Sequence, residues 1–133
     1  MALAGKTILL IEDDIDFATF VKNTLAEQNA QVIHINHPNK VLGALQKAVP
    51  DLILLDLNFH YQNDQGELAS DRGEIVLRLR QGHPALKDIP LIVCSSENLG
   101  GTVVGVEAIG ANDFLAKPTS SKVLLHKILS FLQ

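Results

Sequence analysis

Residues 50–58 read Pro50-Asp51-Leu52-Ile53-Leu54-Leu55-Asp56-Leu57-Asn58. A Pro-Asp turn signal followed by four apolar residues predicts a short strand buried on both faces, of the kind found in the middle of a parallel sheet. The strand ends on a carboxylate. Open α/β sheets bind ligands outside the carboxyl ends of their strands, so Asp56 stands at the edge where chemistry is done. A plainer role is also open to it, because an aspartate in that place caps the loop that follows. The choice depends on whether other strands bring charged groups to the same edge.

Other strands do. Thr7–Ile11 (TILLI) is a second run of the buried type, and it stops at Glu12-Asp13-Asp14. Asp14 or Asp16 is placed to cap a helix running to about Gln28, with Ala18, Val21 and Leu25 on one face and Phe17 and Phe20 widening it. Gln31–Ile35 (QVIHI) is a short strand. The histidines at its end, His34 and His37, lack the carboxylate or cysteine spacing of a metal site. A helix from Asn36 or Pro38 to about Val49 turns Val41, Leu42 and Leu45 inward. Asn58–Gly73 is polar, contains two glycines and has no sustained period, so it reads as a long loop.

Glu74–Gln81 gives a helix ended by Gly82 and Pro84. Pro90–Cys94 (PLIVC) is another buried strand, stopped by Ser95-Ser96. Gly100–Gly110 makes a weak helix, being rich in glycine and valine. Asp113–Ala116 is a short strand leading into Lys117-Pro118, and Ser120–Leu132 is an amphipathic helix capped by Ser or Thr. Strands alternating with helices predict a parallel sheet covered on both faces. Right-handed crossovers and one reversal of winding bring the ends of the first and third strands together, so Glu12, Asp13, Asp56, Ser95 and Lys117 share one rim.

Composition narrows the function. A chain of 133 residues is expected to be one domain, residues 1–133, with an extended loop at about 58–73. Its net charge of −4, with basic residues scattered, gives no support to nucleic-acid or acidic-membrane binding. The one cysteine, Cys94, excludes an internal disulfide and suits a reducing compartment. Thr7–Ile11 is too short for a signal-peptide core, and no segment approaches the ~20 apolar residues of a membrane span. The expected location is the cytoplasm.

ILLIEDD (8–14), LILLDLN (52–58), IVCSS (92–96) and GANDFLAKP (110–118), in that order on alternating strands, resemble the receiver domain of two-component response regulators, single-domain type. The interval from Ser95 to Lys117, and Phe114 three residues before that lysine, fit the family as well. The resemblance implies a flavodoxin-like, doubly wound (βα)5 sheet of five parallel strands in the order 2-1-3-4-5. The departure is Asn58–Gly73, about nine residues longer than the family's loop after the acceptor.

Phosphoryl transfer to a carboxylate sets anionic oxygens against an anion, so the site must supply positive charge and alignment. By the resemblance Asp56 is the phosphoacceptor and a direct Mg2+ ligand, Asp13 a second ligand, Glu12 a ligand through water, and Asn58 a ligand through its backbone carbonyl. Lys117 would neutralise one phosphoryl oxygen and Ser95 would donate a hydroxyl to another. The Lys117–Pro118 peptide would be cis, and Asp14 is left as a helix cap. Ser95 and Phe114 would form the switch that alters the face of the fourth helix, last strand and last helix. Asn58 and Glu97 would tune the lifetime of the acyl phosphate, here toward quick loss.

The phosphoryl donor is expected to be a histidine kinase or phosphotransfer protein, and the output a downstream protein, with no enzymatic turnover of an external substrate. The last helix carries a stripe at Leu124, Ile128 and Phe131 and a second at Leu125, Leu129 and Leu132; the second is either core or a homodimer contact. Two other functions compete. One is an interaction module that works without phosphate. The other is a haloacid-dehalogenase-like phosphatase, which would place its Asp-x-Asp after the first strand, whereas here Asp56 follows the third and is trailed by Asn58.

Overall fold

The computed structural model describes residues 3–37, 40–56, 61–62, 68–69, 80–95 and 110–132. Strands β1 (Thr7–Ile11), β2 (Gln31–Ile35) and β3 (Leu52–Asp56) alternate with helices α1 (Ile15–Ala26) and α2 (Val41–Lys47). Two-residue strands β4 (Tyr61–Gln62) and β5 (Leu68–Ala69) follow, then β6 (Leu91–Ser95), β7 (Asp113–Ala116) and a C-terminal helix, Ser121–Leu132. The main sheet has the order β2-β1-β3-β6-β7, all parallel. Counting only its five strands, that is the expected 2-1-3-4-5.

The apolar runs divide by parity, as successive side chains on a strand point to opposite faces. Ile8, Leu10, Leu52, Leu54, Ile92 and Cys94 pack with α1 and the C-terminal helix. Leu9, Ile11, Ile53, Leu55, Leu91 and Val93 pack on the other face, with Val41 and Ala44 of α2. β1 from Ile8 onward and all of β3 are therefore buried, which is why neither strand alternates polar with apolar. Asp14 caps α1, its carboxylate accepting from the N–H groups of Asp16 and Phe17.

Several sequence expectations change. Leu42 points outward and is 59% exposed. The helix is only seven residues long, so the Val41/Ala44 pair meets the sheet and Leu42 lies about 100° away from Val41. Its observed bounds are Val41–Lys47, shorter than Asn36 or Pro38 to Val49; Pro38 is outside the described residues. The supposed long loop holds an antiparallel pair, Tyr61 with Ala69 and Gln62 with Leu68. The strand expected to stop before Ser95 includes it, and Ser95 is buried. Leu125, Leu129 and Leu132 are half-buried against the α1-side core. Residues 96–109, including the weak helix and Glu97, are outside the described residues, as are residues 71–79.

At the amino end of the sheet, Arg80 ties residues 86–89 to residues 110–112. Its guanidinium donates to the carbonyls of Gly110 (3.1 Å), Leu86 (2.9 Å), Lys87 (3.1 Å) and Ile89 (3.2 Å), and to Asn112 Oδ1 (3.0 Å). The same Asn112 oxygen accepts from Leu91 N–H at 2.9 Å, fixing the start of β6. A planar fork of donors suits such a cluster of carbonyls.

Candidate functional site

β1 and β3 are neighbours with Ile11 opposite Leu55, so Glu12 and Asp56 leave the sheet side by side. One oxygen from each of Glu12, Asp13 and Asp56 lies within 4.8 Å of the others. Glu12 and Asp56 are buried and Asp13 is exposed. Lys117, which follows β7, reaches back across the sheet: its Nζ is 2.8 Å from Glu12 Oε1 and 3.4 Å from Asp56 Oδ1. The Lys117–Pro118 peptide is cis, as expected. Lys117 N–H donates to the Ser95 carbonyl at 2.9 Å, holding the lysine to the end of β6.

Burial, with Asp56 beside it, pushes the Glu12 carboxyl up to about 7 against the pull of the Lys117 hydrogen bond. Burial alone would lower the Lys117 ammonium, but Glu12 and Asp56 outweigh it and raise the lysine above its ordinary value. Cys94 is opposite Asp56 in register, and burial, then Glu12 and Asp56, push its thiol well up. It stays a protonated thiol in the α1-side core.

Glu12 is held from several directions. Its N–H donates to Ile35 carbonyl at 3.0 Å, its carbonyl is 2.8 Å from His34 Nε2, and its Oε1 accepts from Asp14 N–H at 3.3 Å. His34, set aside as a metal ligand from its spacing, instead fixes the peptide of this acid. Glu12 Oε2 is buried without a hydrogen-bond partner. A buried, unsatisfied carboxylate oxygen costs free energy unless something positive or hydrogen-bonding meets it. Together with an all-oxygen donor set, one member of which is open to solvent, it fits a hard divalent cation of the Mg2+ type.

Of the expected site residues, Glu12, Asp13, Asp56 and Lys117 come together, and Ser95 ends the adjacent strand. Phe114 pairs in register with Val93 and is half-buried against the α2-side core. Parity puts Ser95 and Phe114 on that same face. Asn58 and Glu97 lie outside the described residues.

The response regulator receiver domain family matches residues 8–129. This chain is a member of that family. The receiver is 31% identical over 125 residues to the regulatory protein VirG of Rhizobium radiobacter, covering 92% of this chain and 42% of that protein. It is 28% identical over 127 residues to the CAI-1 autoinducer sensor kinase/phosphatase CqsS of Vibrio cholerae, covering 96% of this chain and 17% of that one. The receiver thus spans a sixth to about half of the first curated relatives it matches. Chemotaxis protein CheY4 of Vibrio cholerae superposes with a TM-score of 0.77 at 23% identity, covering 97% of this chain and all of that one, a likeness of fold. Receivers are signalling modules of two-component systems, served by histidine kinases or phosphotransfer proteins, and they bind Mg2+ at an acidic cluster. Among the described residues no helix is long and apolar enough to cross a membrane.

Proposed function

We propose that residues 1–133 act as one receiver unit that takes a phosphoryl group onto Asp56 from a histidine kinase or phosphotransfer protein. The observation that carries this reading is Lys117 Nζ, held between Glu12 and Asp56 at the carboxyl edge of the sheet. A carboxylate oxygen of Asp56 attacks phosphorus, the bond from phosphorus to the donor nitrogen breaks, and its electron pair returns to the donor imidazole. Lys117 offsets negative charge on one phosphoryl oxygen, and the Ser95 hydroxyl donates to another. Glu12, Asp13, Asp56 and the Asn58 carbonyl would hold Mg2+, Glu12 through water; bound there, the ion supplies positive charge at the phosphoryl oxygens.

Ser95 drawn toward the phosphoryl group leaves room that Phe114 fills by moving further into the core it already touches. The resulting population shift alters the face of the fourth helix, β7 and C-terminal helix, which is read by a downstream protein in the cytoplasm. A contact between two copies through the C-terminal helix would use the exposed part of its Leu125–Leu129 stripe; a concentration-independent monomer in sedimentation, phosphorylated or not, removes it. Asn58 and Glu97 set the acyl-phosphate lifetime, and loss is expected to be quick.

The decisive experiment is acetyl phosphate with Mg2+, read by intact mass. One phosphoryl group should be added to the natural protein and none to Asp56→Asn. Beryllofluoride with Mg2+ should shift the NMR signals of Asp56 and Phe114. No adduct and no shift would leave an interaction module that works without phosphate.

A further inference from the structure

We propose that Phe17 is a positioning residue for this site: its ring face holds the Lys117 ammonium over the carboxylates. The inference rests on the phosphoacceptor reading above and adds a residue to it. Lys117 Nζ sits 4.5 Å from the centroid of the Phe17 ring, within the range where a ring face attracts a cation. The two acids take up its other directions, at 2.8 and 3.4 Å. The lysine side chain is 12% exposed, so little water competes for it.

Phe17 is itself fixed. Its N–H donates to Asp14 Oδ1 at 3.4 Å, in the cap that starts α1 directly after the acidic run. Its ring leans on Phe20, with centroids 5.9 Å apart at a tilt of 46°. A groove of about 430 Å³ is lined by Phe17, Phe20, Lys117 and Thr119 among others, beside this contact. A lysine is a compact charge on a flexible four-carbon stem, and nothing in that stem fixes the head. When a phosphoryl oxygen takes over one ammonium contact, the pairing with Glu12 must loosen. The ring attracts the charge without using up an N–H donor, so it holds Nζ through the exchange.

The test replaces Phe17 with mono-, di- and trifluorinated phenylalanine. Fluorine weakens the negative ring face while scarcely changing its shape, so packing alone predicts a flat response. We expect the rate of phosphorylation by acetyl phosphate to fall stepwise, about 3- to 10-fold across the series. The Lys117 ¹⁵Nζ resonance should move in step, and Mg2+ affinity should stay unchanged because Phe17 is not among the residues that would hold the ion. Phe17→Tyr should keep the natural rate, and Phe17→Leu should match the trifluorinated protein. An equal rate across the series with an unmoved Lys117 resonance overturns the proposal. If the natural protein takes no phosphoryl group, the receiver reading has failed. The Lys117 resonance then decides this proposal alone: a graded shift supports it and a fixed signal overturns it.

Discussion

The two edges of the sheet each hold a cation, in opposite circumstances. At the amino edge, Arg80 faces four backbone carbonyls and a neutral amide oxygen. At the carboxyl edge, Lys117 is drawn between two buried acids that repel each other, one with an oxygen left unsatisfied. Satisfied polar clusters fix a structure, while strained charge clusters wait for something to bind. The amino edge therefore reads as a clamp and the carboxyl edge as a receptor.

That contrast fixes the sign of several effects. The largest is expected at the clamp. Arg80→Ala should cost about 2–3 kcal/mol of stability in urea unfolding, because several carbonyls lose their donor at once. Its acetyl-phosphate reaction should persist, and a loss of phosphorylation in protein still folded would break the division of labour between the edges. Next comes the receptor edge: Mg2+ at about 100 times its dissociation constant should stabilise the fold by about 2.7 kcal/mol. That increment should shrink sharply in Asp13→Asn, and an increment of full size would remove Asp13 from the ion's ligands.

Smaller, and opposite in sign to the clamp, is Asp56→Asn without Mg2+. Removing one of two crowded carboxylates should raise stability by about 1 kcal/mol, since Asp56 is among the groups that disfavour ionised Glu12. A melting temperature below that of the natural protein would show that the acids are better compensated than their geometry indicates. The smallest effect sharpens the helix assignment. Leu42→Ser should change stability by under about 0.5 kcal/mol, whereas Val41→Ala should cost about 2 kcal/mol. Equal losses at both positions would put Leu42 back in the core.

The fold was legible because its signals are local. Apolar runs at Thr7–Ile11, Leu52–Asp56 and Leu91–Ser95 can be buried only between two helical layers, and acidic or polar residues close each run. The candidate site was legible for the same reason, since strand ends carry Glu12, Asp56 and Ser95 to one rim. Other features left no local signal. Arg80 bonds mostly to carbonyls, which every residue possesses, so its role could not be seen in side-chain identities. Leu42 and Leu45 look alike as apolar residues, and only the exact start of a short helix separates them. The pairing of Tyr61 with Ala69 hides in a segment without periodicity.

By itself, the sequence determined the alternation of strand and helix, the order in which acids, serine and lysine meet the sheet edge, and a cap for α1 at Asp14 or Asp16, of which the structure uses Asp14. These follow from side-chain periodicity and from residue types whose hydrogen bonding is satisfied within a few positions. Tertiary structure alone decided that Lys117 rests between Glu12, Asp56 and the Phe17 ring, that His34 holds the Glu12 peptide, and that one oxygen of Glu12 is left unmet. Those facts join residues as far apart as 105 positions, and burial sets their electrostatics: a charge's surroundings depend on which elements pack over it, and no local stretch of chain contains that information.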